Sequence, residues 1–282
     1  MGNNTLINAI PFVKMSGSGN DFIIIDNRQP VAPADDLPGW VRRVCRRKMS
    51  AGADGLILVE DSNSADFKWR FFNSDGSVAE MCGNGARCVA RFAFINGIAP
   101  ERMRFETLAG TISAQVMGEQ VKIRMTDPGE MVPASELKTD DGGAVIYSSV
   151  NTGVPHAVIE VADIEAVDVV GAGRLVRHHS QFAPAGTNVN FMAPLAPGRW
   201  TVRTYERGVE DETLACGTGI AACALVLART KALTSPVELQ TRSGSILKVH
   251  FTSNDRGFTD VFLEGDARII YEGHLNPEAW RY

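Results

Sequence analysis

The residues best suited to chemistry are two cysteines that each begin the same short pattern. Cys-Gly-x-Gly occurs at residues 82–85 and again at residues 216–219. An almost uncharged run follows each copy: residues 86–95 carry only Arg87 and Arg91, and residues 220–228 carry no charge. A helix that is apolar on all sides is a buried one, and runs this short cannot span a bilayer. The pattern therefore predicts two buried helices, each starting at a cysteine.

A cysteine at the start of a helix is well placed to exchange a proton. Backbone N–H groups are unpaired there and the helix dipole is positive, which lowers the pKa of a thiol from about 8.5 towards neutrality. Inverting a carbon next to a carboxylate requires one group that removes a proton and another that delivers one to the opposite face. Cys82 and Cys216, at matching places in the two halves, suit these two tasks.

The glycines after each cysteine add a binding function to the prediction. Two helix N-termini supply N–H groups for a substrate carboxylate, and their stabilisation grows as charge spreads into that carboxylate. Glycine at both positions is expected to let the ligand approach the backbone closely. The sequence therefore predicts an enzyme that inverts the α-carbon of a small carboxylate substrate.

The other cysteines have simpler interpretations. Cys45, Cys88 and Cys223 are predicted to be buried and to behave as small apolar residues. There is no Cys-x-x-Cys pair, so no zinc site is predicted. Five cysteines at irregular spacing favour reduced thiols in a cytoplasm, and argue against a structural disulfide between Cys82 and Cys216.

Composition narrows the class of protein. The chain has 282 residues, of which 44% are hydrophobic and 22% charged, with a net charge of −5. These values are typical of a soluble globular protein and give no electrostatic case for a nucleic-acid or membrane partner. The first residues lack a signal-peptide pattern, so a cytoplasmic protein is expected.

No cofactor is predicted from the motifs. The chain has no P-loop, and the glycine loop at residues 16–21 lacks the third glycine of a dinucleotide fingerprint and leads into a strand. A Schiff-base lysine for pyridoxal phosphate stays open at this point. Asn20 and Asp21 in the same loop either form a plain turn or face a ligand.

The two halves of the sequence share one plan. Residues 105–112 align with residues 239–246, and strand, turn, cysteine helix, proline and strands follow in the same order in both halves. We predict an α+β fold with two pseudo-symmetric domains from an internal duplication, each a mostly antiparallel curved sheet wrapped around a buried central helix. The expected boundaries are 1–126 and 127–271, with a tail at 272–282 that returns to the first domain. Both helix starts are expected to face one cleft.

Two further segments receive local predictions. Residues 40–49 predict a helix whose outward arginines form a solvated face rather than a nucleic-acid patch. Residues 133–143 are polar and rich in turn formers, so they predict a loop or a short edge segment.

Together the motifs resemble those of diaminopimelate epimerases, in order from residue 12 to residue 271. The matching segments are Gly19-Asn20-Asp21-Phe22, Asn73-x-Asp75-Gly76-Ser77, Cys82-Gly83-Asn84-Gly85-Ala86-Arg87-Cys88, Gly153-x-Pro155-His156, Asn188-x-Asn190-Phe191, Tyr205-Glu206-Arg207-Gly208 and Ala215-Cys216-Gly217-Thr218-Gly219. The resemblance implies an epimerase that needs no pyridoxal phosphate and interconverts L,L- and meso-2,6-diaminopimelate for lysine and peptidoglycan synthesis. It also implies closure of two domains on the substrate, and a homodimer.

The resemblance assigns residues by position. Cys82 and Cys216 match the two acid/base thiols. The carboxylate at the reacting carbon is assigned to Gly83, Asn84, Gly217 and Thr218. The rest of the pocket and the distal amino acid end are assigned to Asn20, Asn73, Asn188, Glu206 and Arg207. His156 matches a site histidine, with a structural role as the alternative.

Two positions depart from one familiar form of the family. Gly55 stands where some members have Gln. Val154 stands where many have Asn, so the resemblance implies that one donor to the distal carboxylate is missing. The alternatives are therefore an epimerase or racemase of another amino acid of the proline or hydroxyproline type, an isomerase of the phenazine-pathway type, and a non-catalytic amino-acid-binding protein. Intact Asn73, Asn188 and Arg207 favour diaminopimelate.

Overall fold

The computed structural model describes residues 9–138, 142–255 and 257–282. The chain divides into two units. The first comprises residues up to Ile123 together with Asp266–Tyr282, and the second comprises Arg124–Gly265. No helix in the described ranges has the length and apolar character needed to cross a membrane.

The elements of each half follow in chain order. The first half contains β1 (Ile10–Gly17), β2 (Asn20–Asp26), α1 (Leu37–Val44), β3 (Gly55–Glu60), β4 (Phe67–Asn73), α2 (Gly83–Ile95), β5 (Arg102–Thr107), β6 (Gly110–Met117) and β7 (Gln120–Arg124). The second half contains β8 (Val132–Lys138), β9 (Ala144–Asn151), β10 (Pro155–Glu160), α3 (Val169–Arg177), a 3-10 turn (Ser180–Phe182), β11 (Asn188–Ala196), β12 (Arg199–Glu206), β13 (Asp211–Thr213), α4 (Gly217–Lys231), β14 (Val237–Gln240), β15 (Ile246–Asn254) and β16 (Gly257–Asp266). The chain ends with β17 (Arg268–Leu275) and a 3-10 turn (Pro277–Trp280).

In the first unit, the strands pair in the order β17, β1, β2, β3, β4, β5, β6, β7. The β2–β3 and β4–β5 pairs are parallel and the others are antiparallel. Helix α2 packs against β1, β2, β3 and β6. Helix α1 lies on a separate core with Ile23, Ile25, Leu56 and Leu58. Because helices cover both faces of β2 and β3, these strands are continuous apolar runs.

The second unit repeats this arrangement. Its strands pair in the order β8, β9, β10, β11, β12, β14, β15, β16, with β13 added beside β12. The parallel pairs are again the third and fifth in this order, β10–β11 and β12–β14. Helix α4 packs against β9, β10, β11, β12, β14 and β15, and α3 lies on the other core. The predicted α+β fold with an internal duplication is confirmed.

The structure corrects several local predictions. Helix α1 ends at Val44 rather than at residue 49, because the chain turns back so that the N–H groups of Gly52 and Ala53 donate to the carbonyls of Val44 and Cys45. Of the two alternatives predicted for residues 133–143, a loop or a short edge segment, the structure shows the edge segment, since Val132–Lys138 form the edge strand β8; residues 139–141 lie outside the described residues. The C-terminal segment that belongs to the first unit begins at Asp266 rather than at residue 272, because β17 pairs with β1 from Arg268 onward.

Candidate active site

Cys82 and Cys216 each stand immediately before a central helix. Both have extended backbone dihedrals, and neither side chain caps the helix by a hydrogen bond. The first intrahelical bonds run from the N–H of Ala86 to the carbonyl of Cys82 and from the N–H of Ile220 to the carbonyl of Cys216. The N–H groups ahead of them have no intrahelical acceptor, which suits binding of an anion.

The remaining cysteines have a different environment. Cys45, Cys88 and Cys223 are buried, as predicted from the sequence. Burial raises the pKa of Cys45 and of Cys88 to about 12, and raises the pKa of Cys223 still further. These three sulfurs therefore stay protonated and are unsuited to proton exchange near neutral pH.

Two of the predicted binding residues meet in the first unit. The Asn84 side-chain amide Nδ2 donates to Asn20 Oδ1 over 2.6 Å, and Asn20 Nδ2 donates to Asp54 Oδ2 over 3.3 Å. Asn84 is buried in the first turn of α2, and Asn20 is the first residue of β2. The tight turn consists of Ser18 and Gly19, both with positive φ. Asn20 and Asp21 thus begin the strand rather than form the turn.

Asp21 fixes the same end of β2 through charge. It pairs with Lys14 at 2.9 Å and with Arg47 at 2.6 Å, and Arg47 also reaches Asp54 at 2.9 Å. Burial acts to raise the pKa of Asp21, but the hydrogen bonds from Arg47 and Lys14 outweigh it and the pKa is lowered. Arg47 was predicted only as part of a solvated face.

Asn73 lies at a separate turn. Its side chain is exposed, and its Nδ2 donates to Ser77 Oγ over 3.0 Å. Ser77 in turn bonds to Asp75, which lowers the pKa of that carboxyl. No hydrogen bond among the described residues joins Asn73 to Asn20 or Asn84.

In the second unit, Asn190 is the centre of a buried polar cluster. Its Nδ2 lies 3.1 Å from His156 Nδ1 and donates to the Ala157 carbonyl over 3.0 Å, and its Oδ1 accepts from Thr204 over 2.9 Å. Because an amide NH₂ only donates, His156 Nδ1 accepts and the ring proton sits on Nε2. Burial and then the charge of Arg207 lower the pKa of His156 to about 3, so the ring is neutral. Its Nε2 has no hydrogen-bond partner among the described residues.

Asn188 and the segment 206–207 lie together beside this cluster. Asn188 Oδ1 accepts from the Arg207 backbone N–H over 2.9 Å, and Asn188 Nδ2 donates to the Pro155 carbonyl over 3.0 Å. The Arg207 guanidinium donates to the Ala185 carbonyl over 3.3 Å. Burial raises the pKa of Glu206, and the neighbouring Thr213 opposes this only in part.

The start of α4 is held by short polar contacts. Thr218 Oγ1 lies 3.5 Å from Cys216 Sγ, and the Thr218 carbonyl accepts from Thr152 Oγ1 over 2.9 Å. Gly153, with φ of 113°, follows Thr152, and Val154 next to it is half-buried.

The expected use of the second glycine in each motif is corrected. A Cβ on Gly219 would lie 2.2 Å from Asn190 Oδ1, and a Cβ on Gly85 would lie 3.3 Å from Ile57 Cδ1. Both glycines are buried, so what approaches them closely is the protein interior rather than a ligand. Gly83 and Gly217 are half-buried, and a Cβ on Gly217 would meet Leu263 Cδ2 at 2.9 Å.

Sequence reasoning missed several residues that support the site. Arg87 is fully buried in α2 and donates to Asn84 Oδ1 over 2.9 Å, whereas the sequence marked it only as a charge in an apolar run. Asn190, Thr152 and Thr204 were likewise given no function. For Asn190 a signal existed, since it lies two residues after Asn188 and so on the same face of a strand.

The comparisons with known proteins agree with this arrangement. The family model described as "Diaminopimelate epimerase" matches residues 12–132 and 148–270. The chain belongs to the diaminopimelate epimerase family. A relative of that name from Aquifex aeolicus is 48% identical over 283 residues, which cover 96% of this chain and 99% of the relative.

Solved structures share the fold at lower identity. A phenazine biosynthesis protein of the PhzF family from Bacillus anthracis has a TM-score of 0.72 at 14% identity, covering 95% of this chain and 99% of that one. A probable proline racemase from Agrobacterium radiobacter K84 has a TM-score of 0.68 at 18% identity, covering 96% and 95%. These likenesses concern the fold alone.

The family assignment confirms the resemblance found in the motifs. It also confirms the predicted enzyme class, an isomerase. The proline-type, phenazine-type and non-catalytic alternatives are not favoured, because relatives at high identity over nearly the whole chain carry the diaminopimelate epimerase name.

Proposed function

We propose that the chain interconverts L,L- and meso-2,6-diaminopimelate without a cofactor, and that Cys82 and Cys216 exchange the α-proton. The observation that carries this proposal is the pair of cysteines that each precede a central helix of a duplicated fold, in a chain of the diaminopimelate epimerase family. The other cysteines are buried and hold their protons firmly.

The proton transfers balance with two thiols and no other reagent. A thiolate removes the α-proton, and the electron pair of the broken C–H bond delocalises into the adjacent carboxylate. The other cysteine, a thiol, donates its proton to the opposite face of the same carbon. Each turnover therefore exchanges the protonation states of the two sulfurs, and the reverse reaction begins from the opposite arrangement.

Binding of the reacting carboxylate is assigned to the two helix starts. The N–H groups of residues 83–85 and 217–219 have no intrahelical acceptor, and Asn84 and Thr218 lie in the same first turns. Fixed donors aimed at this carboxylate gain strength as the carbanion forms, because charge then accumulates on its oxygens. Gly83 and Gly217 leave room for the ligand beside the backbone.

The distal amino acid end of the substrate is assigned to polar residues of both units. In the second unit, Arg207 supplies a guanidinium for the distal carboxylate and Glu206 a carboxylate for the distal ammonium, while Asn188 fixes the backbone of Arg207. Asn20 and Asn73 are the proposed contributions of the first unit. His156 adds an Nε2–H donor that is unused in the described structure.

Three wider features belong to the same proposal. The product serves lysine and peptidoglycan synthesis. The cytoplasm is the proposed compartment, since all five cysteines are free thiols and such thiols persist under reducing conditions. A homodimer is the proposed assembly.

A conversion assay with purified protein tests the function. Reduced enzyme should convert L,L-diaminopimelate to the meso isomer, measured by chiral chromatography, and should leave proline and hydroxyproline unchanged. Cys82→Ala and Cys216→Ala should each lower kcat by several orders of magnitude. Cys223→Ala is the matched control, because Cys223 lies within the helix that Cys216 precedes, is fully buried and has a pKa that burial raises. Full activity in either Cys82→Ala or Cys216→Ala would contradict the proposal.

A further inference from the structure

Arg87 is a buried cation that reaches back to the beginning of α2. Side chains on a helix lean towards its N-terminus, and the Arg87 guanidinium contacts the first turn in that way. Its Nη1 lies 3.4 Å from the Gly83 carbonyl, and its Nη2 lies 2.9 Å from Asn84 Oδ1. Gly83 directly follows Cys82, so the positive charge lies at the first turn of the helix that this cysteine precedes, and Cys82 acts on it electrostatically.

The hydrogen-bond partners of Arg87 leave its charge largely uncompensated. Besides Gly83 and Asn84, it donates to Ser18 Oγ over 2.8 Å and to the Asp266 carbonyl over 3.2 Å. All four acceptors are neutral groups. No ion pair between Arg87 and a carboxylate is found in the part of the chain that the structure describes.

The charged groups around Arg87 are few, and most are occupied. The Asp266 carboxylate acts on Arg87 electrostatically, but its oxygens accept from Ser18 and pair with Arg268 at 3.1 Å. Cys88 is held as a neutral thiol by burial.

The charges on the β2 side are also paired. Asp21 and Asp54, which lie beyond Asn20, are paired with Lys14 and Arg47. Cys82 is the remaining group that acts on Arg87, and its ionisation would compensate the buried charge.

The second unit lacks this cation. The duplication aligns Cys82 with Cys216, and it therefore aligns Arg87 with Ala221 in α4. Ala221 is fully buried, so the corresponding space carries an apolar methyl group. The two helix starts are alike in backbone but differ in this buried residue, a cation in α2 and an alanine in α4.

We propose that Arg87 is a positioning residue that makes Cys82, rather than Cys216, the thiolate of the resting enzyme. This assignment rests on the proposed two-thiol function. A nearby opposite charge favours the ionised form of a titratable group by about one to three pH units. In the resting state, Cys82 is then ready to accept the α-proton and Cys216 is ready to donate one.

The pH dependence of thiol alkylation tests the proposal directly. Reduced wild-type protein is treated with iodoacetamide across a range of pH, and alkylation of Cys82 and Cys216 is followed separately by mass spectrometry of their peptides. The midpoint of each cysteine is the pH at which its alkylation rate is half of the maximum. The midpoint for Cys82 should lie about one to three pH units below that for Cys216. The opposite order, or equal midpoints, would overturn the proposal.

Substitutions at Arg87 separate charge from packing. Arg87→Met should raise the midpoint for Cys82 by at least about one pH unit and leave that for Cys216 in place, whereas Arg87→Lys should keep most of the difference. Arg91→Met is the control, because it removes a cation of the same helix that lies one turn farther from Cys82 and donates to the Ala267 carbonyl, and it should move the Cys82 midpoint much less than Arg87→Met does. An unchanged Cys82 midpoint in Arg87→Met would overturn the proposal. Should that variant not fold, the wild-type order and Arg87→Lys decide it.

Failure of this inference is distinguishable from failure of the proposed function. Alkylation needs no turnover, so a protein that does not epimerise diaminopimelate but shows the expected order of midpoints would refute the function alone. A protein that epimerises diaminopimelate with Cys216 as the more acidic thiol would refute the assignment of the resting thiolate alone.

Discussion

At the residue scale, the surroundings of each sulfur separate two cysteines from three. Cys45, Cys88 and Cys223 are buried, and burial makes ionisation of their thiols costly. Cys82 and Cys216 lie at helix starts beside backbone N–H groups. The sequence was sufficient to separate them because position within the Cys-Gly-x-Gly pattern marks the helix start. It was insufficient for Arg87, since an arginine in an apolar run gives no sign that its guanidinium is fully buried.

Gly219 provides a sharp steric test at this scale. In Gly219→Ala the new Cβ would lie 2.2 Å from Asn190 Oδ1, so the cluster of Asn190, His156 and Thr204 has to move. We expect the free energy of unfolding to fall by about 1–3 kcal/mol, measured by urea denaturation. Gly129→Ala is the control, because a Cβ there meets Asn151 Cβ only at 3.6 Å. Equal stability of the two variants would contradict the close packing of Asn190 against α4.

His156 is expected to make the stability of the second unit depend on pH in the acidic range. Its pKa is lowered to about 3 by burial and by Arg207, whereas the unfolded chain has the ordinary value of about 6.5. The unfolded state therefore binds the proton more readily, and stability is lost as the pH falls from about 6.5 towards about 3. His156→Gln should remove up to about 1.4 kcal/mol per pH unit from the slope of unfolding free energy against pH. An unchanged slope in this variant would show that the ring is not held neutral.

At the element scale, the outer and central helices begin differently. Asp36 and Asp168 cap α1 and α3 by accepting from the N–H groups of Gly39 and Gly171. The cysteines before α2 and α4 make no such bond. The central helices were predictable from the sequence because a run without charged residues, too short to span a membrane, is typical of a buried helix. For the edge strand β8 the sequence left a loop and an edge segment as alternatives, because its exposed residues are as polar as those of a loop.

This difference predicts a separation of stability from activity. Ser is a good helix N-cap and Ala a poor one, by about 1 kcal/mol. Cys216→Ser should therefore have a higher free energy of unfolding than Cys216→Ala by about that amount, although both lose turnover. Thermal denaturation of the two variants measures it, with Asp168→Ala as a reference for the loss of an existing cap. A Ser variant no more stable than the Ala variant would argue against an open helix start.

At the scale of the whole molecule, the chain is a duplicated fold in which the C-terminal strand β17 belongs to the first unit. β17 pairs with β1 as β8 pairs with β9, so the last segment completes the first unit. The repeat of the cysteine motifs made the duplication readable from the sequence. The sequence interpretation assigned no helix or strand between β9 and β11. The motif residues there lie at strand ends and turns, and they interrupt the alternation of apolar and polar residues that indicates a strand.

The returning segment should be required by the first unit. Removing Asp266–Tyr282 deletes β17 and the Asp266 and Ala267 carbonyls that accept from Arg87 and Arg91. In the truncated protein, the amides of β1 and α2 should exchange with deuterated solvent much faster, whereas those of α4 should keep most of their protection. Equal loss of protection in both units, or none in α2, would contradict this division of the chain.

The central claim is proton transfer between two thiols at one α-carbon. The most direct test is incubation of the reduced protein with L,L-diaminopimelate in deuterium oxide, followed by NMR and chiral analysis. The account predicts meso-diaminopimelate with deuterium at the inverted α-carbon, because the thiol that delivers the proton exchanges with solvent. Inversion without solvent deuterium, or no inversion at all, would contradict it.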